Sequence, residues 1–265
     1  MSEGRRDLPG GPAEAGARLD FLGDWTEFLR ERLDLAGHQP LPSDGVRVLA
    51  HRYFNLQKRR FEARPREVKR SREFTCPDDL LPIVDRIAEQ SQHGEDLWPY
   101  LTRSIADPEY NDALLNDWEI HHFHLGARLE PDGFVERFIK DGDPLLFARV
   151  TSDTLLFITT APHGDWGNRQ LIEILHTNWP EVLADCVLPR VRSLPFHLTH
   201  SGIKKVRKAG IGTVLQMSDG TVYGMIGSGS MTSGIAKDVM ETSIQFQQLV
   251  ERLEIHVREH THEYI

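Results

Sequence analysis

Two apolar segments joined by a short polar turn restrict the fold more than any other feature of the sequence. Residues 145–150 and 154–160 are each long enough to form a buried strand, and the polar residues 151–153 lie between them. This arrangement is typical of a β-hairpin. We therefore expect an antiparallel pair of strands, on which the remaining elements must pack.

The rest of the chain has the pattern of helices on both sides of this hairpin. Apolar residues recur at helical spacing in residues 18–36, whereas the aromatic and histidine-rich residues 118–125 suit a strand. A second turn signal at residues 218–220 precedes a long helical segment. This order is typical of an α+β fold. We predict N-terminal helices, a small, mainly antiparallel sheet over about residues 118–160 flanked by helices, and then a C-terminal β-hairpin and a long helix.

The same pattern divides the chain into four segments, which form either separate units or one continuous domain. The first is interpreted as a flexible tail because it is polar and rich in Gly, Pro and Ala. The segments are the tail at residues 1–17, a helical segment at 18–116 with a basic part at 47–72, a histidine-rich α+β catalytic core at 117–180, and a hairpin with the C-terminal helix at 181–265.

Composition limits the class of protein. The chain has 265 residues, a formal charge of −9 and 39% apolar residues, which is a globular composition. Its two cysteines, Cys76 and Cys186, exclude a disulfide framework and a four-cysteine metal site. No apolar run approaches the roughly 18 residues of a membrane span, and the N-terminus lacks the apolar core of a signal peptide. We therefore expect a cytoplasmic protein with no membrane contact.

Positive charge is concentrated in residues 47–72, although the chain as a whole is acidic. This segment holds ten Lys or Arg residues and two Glu residues, which gives it a net charge of +8. Clustered cations beside aromatic residues are typical of a site for single-stranded nucleic acid. A solvated helix face, with the aromatic residues in the core, is the alternative. On the first interpretation the nucleic-acid-binding residues are Arg52, Lys58, Arg59, Arg60 and Arg66.

A second basic stretch, residues 186–218, contains no acidic residue. It includes Lys204, Lys205, Arg207 and Lys208. Here the interpretation as a solvated helix face is favoured, and no site residue is predicted in it.

Histidines supply the strongest candidate for chemistry. Because side chains alternate along a strand, His122 and His124 share one face. His163 follows the second apolar strand, in step with Leu155, Phe157 and Thr159, and Asp165 and Trp166 come directly after it. In an antiparallel sheet these strands bring His122, His124 and His163 to one rim.

Converging imidazoles favour two kinds of chemistry. His122, His124 and His163, with Asp165, form a workable ligand set for zinc or iron. Alternatively, imidazoles act as general acid and base without a metal, because they titrate near neutral pH. RNA cleavage needs such a pair, and a cation such as Arg149 on the adjacent strand then stabilises the negative charge that develops on the phosphate.

Residues 107–125 and 145–166 resemble the core of the RelE-like endoribonuclease toxins, especially the YafQ-type branch. In that family a strand bearing a histidine precedes an apolar hairpin, which ends in a second histidine and an aromatic residue. By this resemblance His122 or His124 corresponds to the strand histidine, His163 to the terminal one and Trp166 to the aromatic residue. Residues 130–132 resemble the tripeptide after the first strand, but Gly133 replaces the aromatic residue that follows it in the family.

The resemblance implies mRNA cleavage without a metal cofactor, often on the ribosome, and an antitoxin protein as a partner. Our first hypothesis is therefore a metal-independent endoribonuclease of the toxin or defence type. In it His122, His124 and His163 carry acid–base chemistry and Arg149 stabilises charge, with Asp165 and Trp166 in the same site. A metal-dependent enzyme with zinc or iron at the same histidines is the second hypothesis. A non-catalytic protein that binds nucleic acid or a partner is the third.

Overall fold

The computed structural model of the protein describes residues 19–137, 143–227, 229–231 and 234–260. The predicted tail, residues 1–17, lies outside the described residues. No described helix is long and apolar enough to cross a membrane. In chain order the elements are α1 (Phe21–Leu35), α2 (Val46–Arg59), β1 (Glu67–Arg70), α3 (Leu81–His93), 3₁₀ helices at Trp98–Tyr100 and Arg103–Ala106, α4 (Ala113–Trp118), β2 (Ile120–His124), β3 (Pro144–Val150), β4 (Thr154–Pro162), α5 (Gln170–Asn178), a 3₁₀ helix at Pro180–Cys186, α6 (His200–Lys208), β5 (Leu215–Gln216), β6 (Val222–Tyr223) and α7 (Lys237–Glu259).

The predicted α+β class is confirmed. Strands β1 to β4 form one sheet in the order β1-β4-β3-β2, and β5 pairs with β6 in a separate hairpin before the long helix α7. Strand β3 is antiparallel to both β2 and β4. Strands β2 and β4 therefore run in the same direction, and their C-terminal ends lie at one edge of the sheet.

Residues 18–116 were expected to be helical, but they also contain strand β1. It lies within the basic segment and pairs in parallel with β4, where Glu67 is opposite Thr154 and Arg70 is opposite Phe157. Its burial pattern is mostly exposed, so no apolar alternation marks it as a strand. Pairing with β4 stabilises this short strand, and the sheet thereby joins the N-terminal segment to the histidine-rich segment.

A β-bulge in β4 sets the orientation of the residues that follow it. Phe147 is opposite Thr159 whereas its neighbour Ala148 is opposite Phe157, which leaves Ile158 as an extra residue in β4. Such an extra residue changes the phase of side-chain alternation. Thr159 consequently shares the face of His122, which is also opposite Phe147.

The same bulge corrects the expected phase of His163. Leu155 and Phe157 lie on the opposite face, in an apolar cluster with Phe123 and Leu146. Without the extra residue, regular alternation along β4 would place His163 on the face of Leu155 and Phe157, away from His122. The bulge is therefore what allows β4 to lead His163 to the face that carries His122.

Apolar side chains cover both faces of the sheet. On one face, Phe123 and Leu146 pack with Val84 and Ile87 of α3. On the other face, Trp118, Ile120 and Phe147 pack with residues from α5, including Leu171 and Leu175. A separate cluster between α1 and α2 contains Leu29, Leu33, Leu49 and Ala50. His122 and His124 belong to the face covered by α5, at the end of β2 where that cover stops.

Candidate active site

A cavity of about 480 Å³ lies at the edge of the sheet where β2 and β4 end. Strand β2 contributes His122 and His124, and the segment after β4 contributes His163 and Trp166. The structure therefore brings together these four predicted site residues. We call this space the histidine cavity. Its lining residues are Thr102, Ser104, Tyr110, Asn111, Asp112, Ala113, Leu114, His122, His124, Arg137, His163, Trp166, Lys204, Arg207 and Lys208.

The indole of Trp166 connects the imidazoles of the cavity. Its ring centroid lies 4.8 Å from that of His122 and 5.1 Å from that of His163. The His122 and His124 rings are 5.9 Å apart, edge to face. His122 and His124 are buried, whereas His163 is exposed to solvent. One buried imidazole, that of His122, and one exposed imidazole, that of His163, therefore pack against the same indole.

Asp112 lies behind His122. One carboxylate oxygen of Asp112 accepts hydrogen bonds from the backbone amides of Leu114 and Leu115, each 3.0 Å long, and so caps the N-terminus of α4. The other oxygen, Oδ2, lies 3.7 Å from Nδ1 of His122. Because the carboxylate lies beside Nδ1, Nε2 is the ring nitrogen of His122 that is available to a molecule in the cavity.

Cations form the opposite wall. Lys204, Arg207 and Lys208 come from α6 and Arg137 from the segment after β2, whereas Asp112 is the carboxylate among the described residues that line the cavity. The side chains of Lys204 and Lys208 are exposed. This excess of positive charge suits a phosphate or another anion.

A buried network fixes Arg207 in that wall. Its Nε donates a 2.9 Å hydrogen bond to Asp117, and its guanidinium lies 4.2 Å from the ring centroid of Trp118. Asp117 also accepts hydrogen bonds of 2.9 Å from the backbone amide and the hydroxyl of Thr213. The guanidinium further donates to the carbonyl oxygen of Trp166. Helix α6 is thereby anchored to the segment that carries His163 and Trp166.

Burial keeps the inner histidines neutral. It lowers the pKa of His124 to about 3, and the neighbouring His122 and Arg137 lower it further in the same direction. Burial also lowers the pKa of His122, although the Asp112 carboxylate opposes this effect. Both imidazoles are therefore unprotonated at neutral pH, and each has one ring nitrogen with a free lone pair.

Two predicted site residues do not line the cavity. The guanidinium of Arg149 donates a 2.5 Å hydrogen bond to Glu119 and is opposite Ile120, at the other end of β2 from His124. Asp165 contacts the side chains of Asn168 at 2.7 Å and His200 at 3.2 Å. The expected charge-stabilising role of Arg149 is therefore not supported by its position, and the cations of α6 occupy the place expected for it.

The structure places the predicted nucleic-acid-binding residues of the basic segment 47–72 in contacts within the protein. Arg52 contacts Asp44 at 2.6 Å and Glu109 at 2.5 Å, and Lys58 contacts Asp238 at 2.7 Å. Acidic residues from other parts of the acidic chain thus pair with these cations.

The remaining predicted nucleic-acid-binding residues are also engaged within the protein. Arg60 contacts Asp96 at 2.8 Å and lies over the Trp98 ring. Arg59 and Arg66 are buried and donate to backbone carbonyl oxygens. Of the two basic segments, the second one supplies cations to the histidine cavity.

Sequence reasoning missed part of the cavity wall. Tyr110, Asn111 and Asp112 precede a helix too short to show a periodic pattern, and Arg137 lies in a segment without any motif. The acid-free second basic stretch was a signal for Lys204, Arg207 and Lys208, but its helical spacing favoured a solvated face. For the metal hypothesis, the described residues contain no group of three His, Cys, Asp or Glu side chains placed to hold a metal ion.

Comparisons with known proteins leave the site to be judged on its own geometry. No family model, curated protein or solved structure matches the chain. The resemblance to RelE-like toxins therefore rests on the residues that suggested it. Any function of the chain must follow from the geometry of the histidine cavity.

Acid should destabilise the protein through its buried histidines. Burial lowers the pKa of His121 from 6.5 to about 4, so between these pH values the unfolded chain binds more protons and the free energy of unfolding falls as the pH falls. The shift corresponds to about 3 kcal/mol. Urea unfolding at pH 7.5 and pH 4.5 measures this loss. His121→Phe, which keeps an aromatic ring beside Phe61 and Phe123, should reduce the loss; an unchanged pH dependence would contradict the assignment.

Proposed function

We propose that the protein cleaves single-stranded RNA at the histidine cavity by acid–base catalysis, without a metal cofactor. The observation that carries the proposal is the convergence of His122, His124, His163 and Trp166 opposite the cations of α6. Imidazoles supply the base and the acid, and the cations suit the phosphate on which charge develops.

The buried His122 is suited to be the general base. Its neutral imidazole takes the proton from the ribose 2′-hydroxyl, and the 2′-oxygen attacks the adjacent phosphorus. The bond from phosphorus to the 5′-oxygen of the next nucleotide then breaks. The solvent-exposed His163, in its protonated form, donates a proton to that leaving oxygen. The products are a 2′,3′-cyclic phosphate and a 5′-hydroxyl, and the two histidines return to their starting states through solvent.

The cations and the indole have separate roles in this proposal. Arg137, Lys204 and Lys208 bind the phosphate and stabilise the additional negative charge of the transition state, whereas Arg207, which is paired with Asp117, fixes α6 in the cavity wall. Trp166 holds the two imidazoles and offers a flat apolar surface beside them for a base. His124 remains neutral and forms the floor of the cavity.

The RelE-like resemblance extends the proposal to a biological setting. It favours a toxin or defence role, with the ribosome as a place of action and an antitoxin as a protein partner. The exposed cations of α6 suit the acidic surface of either RNA or an acidic protein segment.

The test is cleavage of a fluorescent single-stranded RNA by the purified full chain in excess EDTA. We expect cleavage that EDTA leaves unchanged. Cleavage that appears only after zinc or iron is added would favour the metal-dependent enzyme. RNA binding without any cleavage would overturn the catalytic proposal in favour of a nucleic-acid-binding protein.

A further inference from the structure

A second, much smaller space lies beside the histidine cavity and shares Thr102, Asp112 and His122 with its lining. Its volume is about 10 Å³, close to the minimum that one water molecule needs. Arg59, Asp112, His121 and His122 are among the residues that line it. We call it the inner chamber. It is polar on several sides, which is the condition under which a space of this size holds water.

Polar atoms without partners surround the inner chamber. Nη2 of Arg59 and Nδ1 of His122 are both buried and make no hydrogen bond within the protein. The other guanidinium nitrogens of Arg59 donate to the carbonyl oxygens of Asn55 at 3.2 Å, Ser104 at 3.3 Å and Asp107 at 3.0 Å. Because buried donors are nearly always satisfied in folded proteins, the remaining Nη2 needs an acceptor in the chamber.

Asp112 is the carboxylate among the described residues that line the inner chamber. Its Oδ1 is used by the N-cap of α4, and its Oδ2 lies 3.7 Å from Nδ1 of His122. A carboxylate only accepts hydrogen bonds, so Nδ1 must carry the proton in order to interact favourably with it. The second ring nitrogen of His122 is then unprotonated and free to accept a proton in the histidine cavity.

We propose that Arg59 and Asp112 form a buried relay that holds His122 as the Nδ1–H tautomer, with one water molecule in the inner chamber joining Arg59 Nη2 to the Asp112 carboxylate. Arg59 is a positioning residue: it is only 4% exposed and acts on His122 through Asp112. The tautomer itself does not depend on RNA cleavage. The effect of the relay on cleavage rests on the proposed function.

The tautomer can be measured directly by nitrogen NMR of the ¹⁵N-histidine-labelled full chain at pH 7.5. The His122 resonances are assigned by their loss in His122→Gln. We expect Nδ1 to be the protonated nitrogen of His122 in the unmodified protein. A spectrum with the proton on Nε2 would overturn the relay, and this measurement needs no variant of the relay residues.

Asp112→Asn separates the charge of Asp112 from its capping role. Asparagine is as good an N-cap as aspartate, so α4 is retained. We expect the proton of His122 to move to Nε2 and kcat for RNA cleavage to fall by about 100-fold or more, since an amide in place of an orienting carboxylate stabilises the wrong tautomer. Asp20→Asn makes the same change at the N-cap of α1, outside the cavity, and should leave the His122 spectrum unchanged. An unchanged tautomer in Asp112→Asn would overturn the relay.

Arg59→Lys tests the outer member of the relay. Lysine keeps the charge but lacks the second guanidinium nitrogen that faces the chamber, so we expect a mixture of His122 tautomers and a fall in kcat of about tenfold with little change in KM. An unaltered His122 spectrum would overturn the role of Arg59. If the unmodified protein shows the Nδ1–H tautomer but cleaves no RNA, the relay stands and the proposed function fails.

Discussion

Replacing His163 by alanine should lower the rate of RNA cleavage by about 100- to 10,000-fold, the usual contribution of a general acid. His163 is the exposed imidazole of the histidine cavity and packs against Trp166, with ring centroids 5.1 Å apart. Without it the 5′-oxygen must leave as an alkoxide, which is a much poorer leaving group. The cleavage of a fluorescent RNA in excess EDTA measures the change.

A matched control is available for this substitution. His197 is also exposed but does not line the histidine cavity, so His197→Ala should cleave RNA at the unaltered rate. Because the His163 side chain is exposed, its removal should change the free energy of unfolding by less than about 0.5 kcal/mol. Equal cleavage by the His163→Ala and His197→Ala variants would exclude His163 as the acid.

Asp117→Ala should lower the free energy of unfolding by about 3–5 kcal/mol, the cost of removing one partner from a buried ion pair. Asp117 is 2% exposed and accepts hydrogen bonds from Arg207 and from two groups of Thr213. Its removal leaves the charge of Arg207, itself 8% exposed, without its carboxylate partner. Urea unfolding at pH 7.5 measures the loss.

The control for this prediction is an ion pair at the surface. Glu241 contacts Lys237 at 3.5 Å one turn away on α7, and the two side chains are 55% and 45% exposed. Glu241→Ala should therefore cost no more than about 1 kcal/mol. A loss of similar size in the two variants would show that the Asp117–Arg207 pair does not anchor α6 as described.

The parts of the fold that depend on local pattern were predictable. The hairpin of β3 and β4 follows from two apolar runs and a polar turn, and the helical spacing of residues 18–36 agrees with α1. Strand β1 could not be predicted in this way, because pairing with β4 stabilises it and its own side chains are mostly exposed. The bulge at Ile158 likewise has no local signal, and it reverses the phase on which the sequence argument for His163 depended.

The candidate site was predictable to the extent that its residues are neighbours in sequence. His122 and His124 lie two apart on one strand, and His163 and Trp166 follow the next hairpin. Arg137 and the cations of α6 reach the cavity only through tertiary packing. A count of cations along the sequence does not show which of them meet acidic residues elsewhere in the chain. Arg52 pairs with Asp44 and Glu109, whereas Lys204 and Lys208 remain exposed at the cavity.

The chemistry of the cleaved ends tests the central claim most directly. The EDTA-treated full chain is incubated with an RNA oligonucleotide, and the masses of the fragments are measured by mass spectrometry. The same oligonucleotide with a single 2′-deoxy sugar at the mapped cleavage position is the control. The histidine mechanism predicts fragments that end in a 2′,3′-cyclic phosphate and a 5′-hydroxyl, and no cleavage at the deoxy position. Cleavage of the deoxy position, or fragments with 5′-phosphate ends, would contradict it.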